Sequence, residues 1–89
     1  MKELEKILKA LANRRRLQII KLLSNNQWFD VSDIAREIGL SFKATSQHLS
    51  ILLRAGILEN EKRSLYVYYK ISSNLPAPIK SVLPFILKK

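Results

Sequence analysis

Residues 41–56 read SFKATSQHLSILLRAG, and the way this stretch folds decides how the rest of the chain is arranged. At a helical period, Thr45, Leu49, Leu52 and Leu53 fall on one stripe, with His48 and Ala55 on its flank. That stripe is the expected core face. Lys43, Ser46, Gln47, Ser50 and Arg54 recur on the opposite side as an exposed face of donors and short polar groups. Ile51 lies opposite Leu49 and has no evident partner. Ser41 is a favourable N-cap, yet Lys43 places a cation in the first turn, where the helix dipole favours Asp or Glu by roughly 0.3 kcal/mol or more. No acid occurs in the stretch. A helix over 42–55 with donors on one face and no carboxylate suits a polyanion, and the DNA major groove admits such a helix. Gln47 is suited to pair with adenine and Lys43 with guanine.

Upstream, Asp30 caps a helix in which Val31, Ile34, Ala35 and Ile38 keep the same spacing, and Asp33 stands in the capping-box position. Gly39 terminates it. Only Leu40 separates Gly39 from Ser41, so two helices meet across a short glycine-containing turn, the signature of a helix-turn-helix. Before them, Leu4, Ile7, Leu8 and Leu11 mark an amphipathic helix over 1–12, and Asn13 caps a second helix. Leu17, Ile19, Ile20, Leu22 and Leu23 surround that second helix and place it at the centre of the domain. Its first turn is Arg14, Arg15 and Arg16, again against the dipole. The cluster reads as a phosphate site, with a solvated basic turn as the plainer alternative. Gln27–Phe29 is a candidate short strand. Trp28 reads as a strand or core side chain before it reads as a pocket lining.

Downstream of Gly56 the period changes to two. Leu65, Val67, Tyr69 and Ile71 alternate with Tyr66, Tyr68 and Lys70, which predicts a half-buried strand. Ile57–Glu61 is its expected partner, with Lys62, Arg63 and Ser64 in the turn. A basic hairpin over 57–71 directly after such a helix is a wing, and Lys62, Arg63, Ser64 and Tyr66 are its candidate DNA contacts. After a linker at Ser72–Leu75, Pro76 opens a last helix over 76–89, with Ile79, Val82, Leu83, Ile86 and Leu87 on its apolar stripe. Pro84 is expected to kink or shorten it. Two apolar stripes at the two ends of a small domain predict a shared dimer surface built from Leu4, Ile7, Leu8, Leu11, Ile79, Val82, Leu83 and Ile86.

The 89 residues carry a formal net charge of +9, which favours nucleic acid or an anionic surface as partner. Their length suits one domain with a small core. No apolar run of membrane-spanning length occurs, and Lys6, Lys9 and Asn13 interrupt the pattern of a signal peptide, so a cytoplasmic protein with no membrane partner is expected. The absence of cysteine removes disulfides, thiolate metal sites and thiol redox sensing. Scattered acids, no Gly-rich phosphate loop and a lone His48 without a nucleophile partner argue against an enzyme. His48 itself reads as a hydrogen-bonded boundary residue, with a phosphate contact as the sharper alternative. Neither a cofactor nor a metal is expected.

The segments LKALANRRRLQII, VSDIAREIGLSFKATSQHLSILLRAGIL and YVYYKIS, in this order, resemble the ArsR/SmtB family of winged-helix repressors over roughly Leu4 to Ser72. The resemblance implies a mainly α fold with a small β-hairpin, a winged helix-turn-helix ordered helix, helix, short strand, helix, helix, hairpin, helix. It further implies a homodimer built by the first and last helices on double-stranded DNA, with the helix after the turn in the major groove and the wing on the backbone. On this reading Ser41, Lys43, Ser46, Gln47, His48, Ser50 and Arg54 form the recognition helix surface, and Arg14, Arg15 and Arg16 meet phosphate. The family's metal-sensing cysteines fall on positions that look like Asp30 and Ser32, and the last helix lacks the Asp and His pairs of a second family site. Metal sensing at those two places therefore looks lost, which leaves either another inducer or no inducer. The chain is expected to be a sequence-specific regulator, a homodimeric repressor occupying 1–89 as a single domain. An architectural protein that coats duplex without reading it, and a winged-helix protein-interaction module, are the competing readings.

Overall fold

The computed structural model describes residues 1–88; Lys89, the end of the expected last helix, lies outside the described residues. Its elements are α1 (Lys2–Leu11), α2 (Arg14–Leu22), a 3-10 turn (Leu23–Asn25), β1 (Phe29–Asp30), α3 (Val31–Ile38), α4 (Phe42–Arg54), β2 (Leu58–Arg63), β3 (Tyr66–Ile71) and α5 (Ala77–Leu87). The helix boundaries follow the caps. Asn13 accepts from Arg16 N at 3.1 Å, Asp30 from Asp33 N at 2.8 Å and Ser41 from Ala44 N at 3.1 Å, each satisfying an orphan donor of the first turn. Gly39 ends α3 at a φ of 71°, a left-handed conformation that favours glycine, and the chain turns directly into α4.

The core gathers one face of every helix. Ile19 and Ile20 of α2, Ile34 of α3, Leu49 and Leu52 of α4, and Ile79 of α5 are fully buried together with Leu23 and Ile57. Ile51 finds its place here too, half-buried and packed against this cluster. Among the described residues no helix is long and apolar enough to cross a membrane.

Three features differ from the sequence expectation. The short strand is Phe29–Asp30 rather than Gln27–Phe29, and it pairs with β3 to make an antiparallel sheet ordered β1-β3-β2. In the hairpin, Lys62 and Arg63 are strand residues opposite Val67 and Tyr66, so the turn is Ser64 and Leu65. Ser64 takes a φ of 58° at the first turn position, a conformation that two-residue hairpins require and that glycine usually supplies. Leu65 consequently drops out of the buried alternation and stands 86% exposed at the tip. Finally, α5 runs through Pro84 without being shortened there; Pro76 is its N-cap residue rather than its first turn, and Pro84 has no N–H to donate to the preceding turn.

Candidate nucleic-acid interface

Thr45, Leu49 and Leu52 bury one side of α4, and that anchorage turns the other side outward. Phe42, Lys43, Ser46, Gln47, Ser50, Ile51 and Arg54 line an open groove of about 580 Å³ along the helix. The structure therefore brings together five of the residues that the sequence assigns to the recognition face. Ser41 instead sits at the helix start with its hydroxyl engaged in the cap. Phe42, 58% exposed at the mouth of the groove, was not anticipated from the sequence. An exposed aromatic in the first turn breaks the apolar stripe, and that break was the available signal.

His48 lies off this face, half-buried, with Nδ1 3.1 Å from Arg16 Nη1. Burial, followed by the charges of Arg16 and Arg15, holds its pKa below the ordinary histidine value. This is the boundary role rather than a groove role.

The arginine cluster divides. Arg16 donates from Nε to Ala10 O at 2.7 Å and from Nη2 to Lys9 O at 3.0 Å, so its guanidinium closes the carbonyl end of α1. Arg15 does the same for α3, reaching Ile38 O at 2.7 Å. Cations at helix C-termini are favoured by the dipole, so the charge that is unfavourable at the start of α2 is offset at the ends of α1 and α3. An external anion is thus not needed to account for Arg15 and Arg16. Arg14 remains exposed.

On the wing, Lys62, Arg63, Ser64 and Tyr66 are all exposed. Arg63 pairs with Glu61 and stacks 5.2 Å from the ring centroids of both Trp28 and Tyr68, while Lys70 lies 5.6 Å from Trp28 on the neighbouring strand. Trp28 is the platform under two wing cations.

The expected dimer stripes are split by burial. Ile7, 5% exposed, and Ile79, fully buried, face the protomer's own core and present no surface to a second chain. Leu11, Val82, Leu83 and Ile86 are half-buried. Leu4 and Leu8 remain exposed on α1, and Phe85 and Leu87, the first of them unforeseen, are exposed on α5. Asp30 Oδ1 is engaged in capping α3. No group of three or more His, Cys, Asp or Glu side chains suited to a metal lies among the described residues.

Comparison with known proteins places this arrangement. The model of the "Bacterial regulatory protein, arsR family" matches residues 13–60, which hold α2, α3, α4 and the start of β2. The chain is 42% identical over 67 residues to the transcriptional activator HlyU of Vibrio cholerae, covering 75% of this chain and 61% of that protein. It is 34% identical over 71 residues to the arsenical resistance operon repressor of Escherichia coli, covering 80% and 61%. The chain thus spans about three-fifths of the length of these curated relatives. Among solved structures, HlyU from Vibrio cholerae superposes with a TM-score of 0.78 at 33% identity, over 94% of this chain and 87% of that one. A homodimeric winged helix-turn-helix DNA-binding domain from Mycobacterium bovis superposes with a TM-score of 0.78 at 29% identity, over 96% and 72%. The order of elements, the acid-free groove of α4 and the matched residues agree: the chain is a winged helix-turn-helix protein and belongs to the ArsR family of bacterial regulatory proteins.

Proposed function

We propose that the protein is a sequence-specific, double-stranded DNA-binding transcriptional regulator that acts in the cytoplasm as a homodimer. The observation that carries this reading is the groove of α4, whose polar donors are held outward by a buried opposite face and whose lining contains no carboxylate. Lys43, Ser46, Gln47 and Ser50 enter the major groove, while Arg14, Lys62 and Arg63 engage phosphates and set affinity. Arg15 and Arg16 act mainly by fixing α1 and α3 around the recognition helix. Two protomers join through Leu4 and Leu8 of α1 and Phe85 and Leu87 of α5, so one recognition helix reaches each half-site, about 10 base pairs apart. Exposed apolar side chains on the two terminal helices support this assembly. The relatives named above include an activator and a repressor, and repression is the reading adopted for this chain.

Selection of preferred duplexes from a random pool tests the reading. A regulator of this kind prefers its site over bulk DNA by at least about 10³-fold. If the dimer neutralises six to ten phosphates, affinity falls roughly 10³- to 10⁵-fold between 50 and 200 mM salt. Gln47→Ala relaxes sequence preference, and Lys62→Ala weakens every duplex alike. A flat salt response overturns the reading; salt-dependent binding with no preferred site makes the protein a DNA-coating one.

A further inference from the structure

The groove of α4 does not end with α4. Ile51 and Arg54, at its far end, also line a second cleft of about 310 Å³, whose other walls are Lys6, Lys9 and Ala10 of α1 and Arg16 of α2. Lys6 and Lys9 are three residues apart on one helix and so share a face. Four cations therefore surround a cleft with an apolar floor, and none of the chain's seven acids lines either this cleft or the groove it continues.

Intramolecular partners account for only part of this charge. Arg16 uses three of its five N–H groups on Lys9 O, Ala10 O and His48 Nδ1, which leaves two on a guanidinium already held in place. Lys9 pairs with Glu5 at 3.4 Å, but both side chains are largely exposed, and a pair of that kind contributes little. Lys6 lies in the middle of α1, away from the helix end where a cation is favoured, and forms no ion pair among the described residues. Glu5 offsets Lys9 only weakly, so these like charges still repel one another, and a polyanion running from the α4 groove into the cleft removes that repulsion.

We infer that the cleft between α1 and the C-terminal end of α4 is a second DNA-binding surface, in which Lys6 and Lys9, with Arg16 and Arg54, hold the phosphate backbone of the duplex whose bases α4 reads. The inference rests on the proposed function and extends its footprint onto α1. These phosphate interactions carry no sequence information, so they raise affinity and salt dependence and leave operator choice unchanged.

The test compares the wild-type chain with the Lys6→Gln, Lys9→Gln double variant on a selected duplex across a salt series. Each phosphate that the variant no longer neutralises lowers the slope of log K against log salt by about 0.9, while the ratio of specific to bulk binding stays constant. A matched double variant, Lys21→Gln with Lys80→Gln, removes the same charge outside the cleft and keeps the wild-type slope. Equal slopes for the cleft variant and wild type, or equal reductions in both double variants, overturn the inference. A measurement on the unaltered protein guards against effects on folding or assembly: acetylation of Lys6 and Lys9 slows when duplex is added, and that of Lys80 does not. Unchanged reactivity at Lys6 and Lys9 in a formed complex overturns the inference alone. Absence of any complex with duplex at low salt overturns the proposed function instead.

Discussion

Arg16 Nη1 stands 3.1 Å from His48 Nδ1 and joins the start of α2 to the middle of α4. A guanidinium only donates, so Nδ1 accepts and the imidazole carries its proton on Nε2. The same guanidinium holds the last carbonyls of α1, so one side chain links three helices.

Stability is therefore expected to fall in mild acid. Burial and the adjacent arginines lower the pKa of His48 in the folded chain, so the unfolded chain takes up the proton first as pH drops. The stabilisation is fully present above the ordinary histidine pKa, about 6.5, and is lost as pH falls from there through the depressed folded value. Denaturant midpoints measured at pH 7.5 and 5.5 should show this loss. His48→Gln, which accepts through its amide oxygen and does not titrate, should flatten the difference. An unchanged pH response in that variant would assign the effect to other groups.

Thr45 presents the opposite situation on the same helix. It is fully buried, and its Oγ1 has no hydrogen-bond partner among the described residues. Exchanging a buried, unsatisfied hydroxyl for a methyl of similar shape removes a desolvation cost of about 1 to 3 kcal/mol. Thr45→Val is expected to unfold at the same or higher denaturant concentration than wild type, whereas Thr45→Ser, which keeps the hydroxyl and loses the methyl, unfolds earlier. A clear drop for the valine variant would show that the hydroxyl has a partner in solution.

The two faces of α1 separate folding from the proposed assembly. Ile7→Ala opens a cavity in the protomer core and is expected to cost about 2 to 5 kcal/mol in thermal or denaturant unfolding. Leu8→Glu changes an exposed side chain, so secondary structure persists while sedimentation shows monomers. Dimers that survive Leu8→Glu would move the interface away from α1.

The wing supplies its own spectroscopic probe, because Trp28 is the chain's single tryptophan and lies under Arg63 and Lys70. Arg63→Gln is expected to alter the emission of Trp28 and to lower stability by about 1 kcal/mol, the order of one exposed cation–π contact and a surface ion pair. Emission identical to wild type would mean that the stack is not populated in solution.

The helix-turn-helix was legible because its signals are local: caps at Asp30 and Ser41, a glycine terminator at Gly39, and apolar residues at helical spacing. The hairpin tip was misplaced for an equally local reason. Ser64 adopts a conformation usually signalled by glycine, and the apolar Leu65 continues the strand alternation without being buried. The roles of Arg15 and Arg16 could not be read, since Ile38 lies 23 residues from Arg15 and His48 lies 32 from Arg16. Likewise, periodicity placed Leu4, Ile7 and Leu8 on one stripe, but a core that accommodates only Ile7 of the three is a property of packing. The polar residues of the open face of α4 were predictable from helical spacing, though Phe42 and Ile51 beside them were not. Its continuation into α1 was not, because it joins cations that are distant in sequence.

Asp30 belongs to two structures at once: its backbone faces Tyr68 across the sheet, and its carboxylate caps α3. No residue separates strand from helix, and only Gly39 to Ser41 separate α3 from α4, so the positions of β3, α3 and α4 are fixed relative to one another by short covalent links. Helix pair and wing are therefore joined through Asp30 and Gly39 with no intervening loop. In the proposed dimer, fitting to a duplex then depends on the spacing between the two protomers' α4 helices more than on bending within either protomer.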